Sequence, residues 1–325
     1  MLLTVEETKK KIQDGLLLSL AGDENVMREL PTGKWIGGTI PYFMDSAGGT
    51  ISKEKIYVDV IPDFGENVVV KSYDVADLPG IPADAPENGF SLIIIPATSD
   101  AHLTFAQNAP NFKDIFMKPL IGWISGVHLD DLGKISPKVF NGAQNEATDK
   151  KAVVMHVTMP TDKLASIGIV NLFTQGSQDN ITFEETGFSA KDCYINGQKC
   201  NFAEYLLENK TDTRLPLVSN YFGAMVNVSF QNIDEQSKTV NFYAPVFKQV
   251  AYKHAAPIKD YVSEFQGKLP QEMNNVLFSC NCILNFLYSE LEGKKTDGMV
   301  GPITFGEVAY QLLNQTLVYL DIKDA

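Results

Sequence analysis

Cys280-Asn281-Cys282 is the most reactive-looking cluster in the chain. On a strand, alternate residues share a face, so these two thiols would lie within reach of a soft metal ion or of each other. Two sulfurs are too few for a structural zinc site, and no histidine nearby in sequence would draw off a thiol proton. Free cysteine is also among the most often buried residues, so plain packing at a strand end is the commoner outcome.

His128, with Asp130 and Asp131, could pair a base with an orienting carboxylate. Residues so close together on a loop rarely reach that geometry, and a surface turn is the simpler reading. His156 sits inside the apolar run Val153–Val157, where a hydrogen-bonded core histidine is expected rather than a catalyst. The four histidines are scattered singly, without metal-ligand spacing.

Two segments join a tryptophan to glycine. One is Trp35-Ile36-Gly37-Gly38, and the other is Gly122-Trp123-Ile124-Ser125-Gly126. A flat ring beside bare backbone suits a small-ligand pocket, and it suits ordinary core equally well. Glycines inside strands mark a bulge or a close approach by another group. Near the end, Glu307 follows Gly306 and is expected to open a helix over Phe305–Leu313. There it would cap the helix against the dipole, or face a pocket and bind the ammonium group of an amino acid.

Familiar catalytic motifs are missing from the sequence. It has no Gly-x-Gly-x-x-Gly, no Walker loop, no Gly-x-Ser-x-Gly elbow and no His-Glu-x-x-His. No cofactor and no metal site is expected.

The elements that must hold these residues can be read in outline. Thr4-Val5-Glu6-Glu7 is a capping-box pattern that starts a helix running towards Gly15. A short helix follows over Asp23–Leu30, stopped by Pro31. Strands are expected at Trp35–Thr39, Ile56–Val60, Asn67–Tyr73, Leu120–Val127 and Ala152–Met159. Phe90–Pro96 has the continuous apolar character of a central strand buried on both faces. Asp77–Asn88, rich in Pro, Gly, Ala and Asp, reads as an exposed connector. Later strands are Asn180–Glu185, Asp192–Ile195, Gly223–Gln231, Thr239–Tyr243, Val276–Cys280 and Leu317–Ile322. Asn196-Gly197 suits a tight turn. Helices are expected at Phe202–Leu207 and at Ile283–Glu292, the latter closed by Gly293.

Strict strand–helix alternation is lacking, so the fold class is mixed α+β, with largely antiparallel sheets flanked by helices. The length of 325 residues favours two domain-sized halves, 1–163 and 164–325. The shared Ile-Gly of the two tryptophan segments hints at an internal duplication.

A net charge of −13 would repel phosphate backbones and anionic membrane surfaces, so neither nucleic acid nor membrane is expected as a partner. No apolar run approaches the roughly 20 residues of a spanning helix, and the start lacks the order of a signal peptide. With only four cysteines, a disulfide scaffold is not expected and a cytoplasmic location is.

The tail Gly301-Pro302-Ile303-Thr304-Phe305-Gly306-Glu307, followed by Asn314-Gln315-Thr316, resembles the end of the FIST family of bacterial signal-transduction sensory modules. Cys280 matches that family's strand cysteine. Asp192–Cys200 is similar to its strand and Asn-Gly turn, with Phe202–Leu207 as the short helix that follows. Phe90–Ser99, Leu120–Gly126, Gly142 and Ala152–Val157 are similar to parts of its N-terminal half. The chain departs from the pattern at Trp123, where a second glycine is usual, and at Asn281-Cys282, where a basic residue is usual.

The resemblance implies a non-catalytic protein that senses or binds a small molecule, an amino acid or related metabolite, and signals to a downstream protein. Such modules are often fused to kinase, cyclase or chemotaxis output domains, which this sequence does not show, so a stand-alone relative, or a divergent one with a changed role, is expected. The candidate ligand-binding residues are Trp35, Gly37, Gly38, Trp123, Ser125, Gly126, Cys280, Phe305, Gly306 and Glu307. The alternatives are an enzyme assembled from distant residues around Cys280 or His128, and an interaction protein without a small ligand.

Overall fold

Thr4 begins the first helix as its capping box requires. Its hydroxyl accepts from the Glu7 amide, and the Glu7 carboxylate accepts from the Thr4 amide at 2.9 Å, capping the helix Val5–Gln13. Such a cap contributes about 1 kcal/mol. The computed structural model describes residues 1–221, 223–269, 275–296 and 298–325. The protein is mixed α+β, with 42% strand against 19% helix.

Contacts divide the chain into two units that do not coincide with the expected halves 1–163 and 164–325. The first unit takes in Met1–Val170, Leu269–Leu312 and Leu317–Ala325; the second is Asn171–Lys268 with Leu313–Thr316.

The first unit holds three six-stranded sheets. One runs Leu2–Leu3, Ile56–Ile61, Leu17–Gly22, Trp35–Thr39, Val139–Asn141, Glu146–Thr148, with Leu17–Gly22 and Trp35–Thr39 parallel. Leu18, Leu20 and Trp35 on one face pack with Ile12, Val26 and Met27 of the two N-terminal helices. The second helix is shorter than expected, Glu24–Met27, with Asp23 as its cap.

The second sheet runs Gln311–Leu313, Glu307–Ala309, Leu120–Ser125, Gly89–Pro96, Ala152–Thr158, Val68–Tyr73. Gly89–Pro96 is buried at every position, as its unbroken apolar run predicts. Its parallel neighbour Leu120–Ser125 is reached through the helix Asp100–Asn108. The segment expected to be an exposed connector instead forms two short helical pieces, Val75–Gly80 and Ile81–Asp84. Leu78, Ile81 and Ala85 are buried, so the apolar residues among its prolines do core work.

The third sheet runs Lys163–Val170, Leu317–Asp324, Val276–Cys282, Gly301–Thr304, Tyr42–Asp45, Gly48–Ile51. Gly168 lies opposite Tyr319, whose ring covers the bare backbone; a Cβ there would sit 1.9 Å from Tyr319 Cζ. The helix after Cys282 is Ile283–Tyr288, ending before the expected Glu292.

Two corrections concern the tail. The expected helix Phe305–Leu313 is absent, and its residues form the strands Glu307–Ala309 and Gln311–Leu313. Between them Tyr310 has a φ of +64°, which turns the chain. Glu307 is therefore a strand residue and caps no helix.

The second unit carries a six-stranded antiparallel sheet and a three-stranded one. The larger contains the hairpin Asp192–Ile195 and Gln198–Asn201, closed by Asn196 (φ +50°) and Gly197 (φ +86°). Both positive φ values are those of the tight turn that Asn-Gly favours. Phe183, Phe202, Phe230 and Phe242 form the centre of this unit's core, and the helix Phe202–Glu208 supplies one of them.

Candidate functional site

Glu307 pairs with Trp123, Val308 with Gly122 and Ala309 with Ile121 where the tail strand meets Leu120–Ser125. The pairing continues through Ile124 N–H to Gly306 O at 2.9 Å and Phe305 N–H to Ile124 O at 3.0 Å. Directly opposed residues of an antiparallel pair share a face, and so do residues two apart on one strand. Glu307, Trp123 and Ser125 therefore lie on one side of the second sheet.

That side meets the Trp35–Thr39 strand at Gly38. A Cβ on Gly38 would stand 2.7 Å from both Trp123 Cη2 and Ile94 Cγ2, and 3.1 Å from Ser125 Cβ. Gly126 donates its N–H to Thr39 O at 2.7 Å, and the ring of Phe305 covers it, 2.4 Å from where a Cβ would be. The two tryptophan-glycine segments thus pack against each other, and the approach that the glycines permit is made by the protein's own side chains.

The resulting cluster is closed to solvent. Trp123 is 1% exposed, Ser125 and Glu307 0%, and Cys280 1%. Trp123 Nε1 and Ser125 Oγ have no hydrogen-bond partner among the described residues. Buried polar atoms without partners are uncommon, and each calls for an explanation. Beside them, Thr304 Oγ1 lies 3.2 Å from Glu307 Oε1, 3.1 Å from Gly306 O and 3.3 Å from Asn281 O. One hydroxyl proton serves three acceptors.

Cys280 donates its S–H to Gly122 O at 3.5 Å. Burial, then the Glu307 carboxylate, pushes its thiol well above the ordinary range, so at neutral pH it is a protonated hydrogen-bond donor. Asn281 Oδ1 accepts from the Cys282 amide at 2.8 Å and from Asn285 Nδ2 at 2.9 Å, fixing the turn into the following helix.

Strand alternation separates the other candidates. Trp35 and Gly37 face the helices while Gly38 faces the second sheet. A Cβ on Gly37 would meet Met27 Cε at 2.4 Å, and the Trp35 indole lies against Gly142 with Nε1 donating to Pro31 O at 2.9 Å. Trp35, Met27, Phe140 and Glu146 border a depression of about 190 Å³. Gly38, Trp123, Ser125, Gly126, Cys280, Phe305 and Glu307 come together; Gly306 adds only its carbonyl, its bare face turning to Ile124 and Leu312, and Trp35 and Gly37 do not join them.

His128 is a turn residue. Its ring stacks on Tyr42 with centroids 5.5 Å apart, and Nδ1 accepts from the Asp130 amide at 3.3 Å. Asp131 is bound to Lys53 at 2.7 Å instead.

His156 belongs to a buried relay on the far side of the second sheet. Ser91 Oγ lies 2.8 Å from its Nδ1, Tyr73 Oη 2.8 Å from its Nε2, and Tyr73 Oη donates to Asp84 Oδ2 at 2.8 Å. Tyr73 has a single proton, given to the carboxylate, so Nε2 carries the imidazole proton and Nδ1 accepts from Ser91. Lys71 holds the Asp84 carboxyl below its usual range, and burial lowers His156 to about 4. The relay ties the strands Val68–Tyr73, Gly89–Pro96 and Ala152–Thr158 together through side chains. Its partners are far apart in sequence, and nothing in their spacing marks them.

Among the described residues, no cluster of three or more His, Cys, Asp or Glu is placed to hold a metal ion. No helix among them is long and apolar enough to cross a membrane.

Fold and cluster together define a mixed α+β protein in which Trp123, Ser125, Thr304 and Glu307 are buried together. The chain belongs to the DUF6976 family, described as a family of unknown function, whose profile matches residues 3–323. No curated protein matches it.

Proposed function

We propose that this protein is a non-catalytic, small-molecule-binding sensor of the FIST kind, acting in the bacterial cytoplasm on an amino acid or related metabolite and signalling to a downstream protein. The observation that carries the reading is the buried pair Trp123 Nε1 and Ser125 Oγ, both without hydrogen-bond partners among the described residues, beside the buried Glu307 carboxylate. Two neutral hydrogen-bonding groups and a carboxylate match the acceptor and ammonium ends of such a ligand. The protonated, enclosed Cys280 thiol weighs against a nucleophile.

Because the cluster is closed to solvent, a ligand enters it only through an opened form, which it favours by binding that form more tightly.

Thermal-shift screening of the whole chain against amino acids and related metabolites tests the reading. A saturable rise in melting temperature, weakened in Trp123→Phe and Ser125→Ala, is expected. A panel in which no compound stabilises the wild type overturns it.

A further inference from the structure

The hairpin Asp192–Asn201 places two cysteines face to face. Cys193 and Cys200 are direct partners in its register, equally distant from the Asn196-Gly197 turn, and their sulfurs lie 3.8 Å apart. Both thiols are free. Directly opposed strand residues have Cα separations of about 4.5–5.5 Å, inside the roughly 4.4–6.8 Å span that a disulfide bridges. Forming the bond of about 2.05 Å needs side-chain rotation and little movement of backbone.

The two sulfurs differ in access. Cys193 is 1% exposed and packs in the phenylalanine core, where burial first and Cys200 second push its thiol up. Cys200 is partly buried at the edge of the same core and is the thiol that a reagent meets first. The turn is set by two positive φ values, and Asn196 Nδ2 donates a hydrogen bond to Asp179 Oδ1 at 2.6 Å. The pair is therefore kept together by the hairpin itself.

We propose that Cys193 and Cys200 form a reversible dithiol–disulfide site that reacts with low-molecular-weight disulfides. The Cys200 thiolate attacks one sulfur of the small disulfide, that S–S bond breaks, and one small thiolate leaves. Cys193 then loses its proton to water and attacks Cys200 Sγ, expelling the second small thiolate. Two protein S–H bonds are replaced by one S–S bond, and two electrons pass to the reagent, which leaves as two thiols.

The site adjoins a cleft of about 510 Å³ bordered by Asp179, Tyr205, Asp212 and His254. The Tyr205 phenol donates to Asp179 at 2.8 Å, and its ring packs against the same core as the two cysteines. Oxidation removes both ionisable sulfurs from beside that cleft wall.

The test equilibrates the whole chain with glutathione buffers of rising oxidised fraction, followed by acid quenching, intact mass and non-reducing tryptic mapping. The wild type is expected to lose about 2 Da, for the two thiol hydrogens. Its titratable thiols should fall from four to two. Cleavage after Lys199 separates the two cysteines, so a Cys193–Cys200 bond appears as two joined peptides. Cys200→Ser, at the less buried position, should keep its circular-dichroism spectrum and show no such loss. Retention of four thiols throughout, a stable glutathione adduct at Cys200, or a bond to Cys280 or Cys282 instead overturns the proposal.

Discussion

Glu307 stands directly opposite Trp123 in an antiparallel pair, so a carboxylate and an indole share one fully buried face of the second sheet. Two residues along from Trp123, Ser125 adds a hydroxyl without a hydrogen-bond partner among the described residues. A buried hydroxyl without a partner carries a desolvation cost that alanine removes. Ser125→Ala should therefore leave the ligand-free protein as stable or up to about 1 kcal/mol more stable in urea unfolding. A loss of about 1 kcal/mol or more would mean that ordered water already satisfies the hydroxyl.

Gly38 is required by its neighbours rather than by its own dihedrals. Gly38→Ala places a methyl 2.7 Å from Trp123 and Ile94 at a sheet-on-sheet contact. Overpacking of this kind costs about 1–3 kcal/mol. Gly80 is the control, since a Cβ there meets nothing within 4 Å. Gly80→Ala should be neutral or stabilising by up to about 1 kcal/mol. Equal denaturation midpoints for the two variants would contradict the packing account.

Thr304 shares its single proton among three buried acceptors, one of them Glu307 Oε1. Thr304→Val keeps the shape and withdraws the donor. The expected loss is about 1–3 kcal/mol for withdrawing a buried hydrogen-bond donor. A double cycle with Glu307→Gln should show coupling of at least about 0.5 kcal/mol, since the two side chains touch. Strict additivity would place Thr304's donor elsewhere.

Acid should unfold the protein partly through His102 and His156, each lowered by burial to about 4. An unfolded imidazole titrates near pH 6.5. As pH falls below that, the unfolded chain takes up protons that the folded chain refuses. Stability is thus complete above about pH 6.5, declines towards pH 4 and then levels off for these groups. The loss reaches about 3 kcal/mol for each histidine. Imidazole NMR titration of the folded protein checks this directly: an apparent pKa above 6 for either ring would remove it from the account.

Local signals carried well through the sequence and tertiary ones did not. Thr4 and Glu7 announce their helix because a capping box is complete within four residues. The unbroken apolar run at Phe90–Pro96 marks a strand covered on both faces. Phe305, Val308, Ala309 and Leu312 imitate the spacing of a helical stripe, and a short apolar run is ambiguous on that evidence alone. The pairing with Leu120–Ser125, formed from far away in the chain, decided for strand. Likewise, Gly38 and Trp123 could be marked as special, but not as partners. The Cys193–Cys200 contact was legible in principle, because a two-residue turn at Asn196-Gly197 fixes which residues oppose each other.

The strand Leu317–Asp324 sits between Lys163–Val170 and Val276–Cys282 in the third sheet, after the chain has visited the second unit and returned. On the ribosome, Lys163–Val170 must therefore wait for residues 171–316 to be made before its neighbour emerges. The second unit's hairpins can close while that edge is still unpaired. During synthesis, the interval between the two events is when an open strand edge is most vulnerable to pairing with another chain.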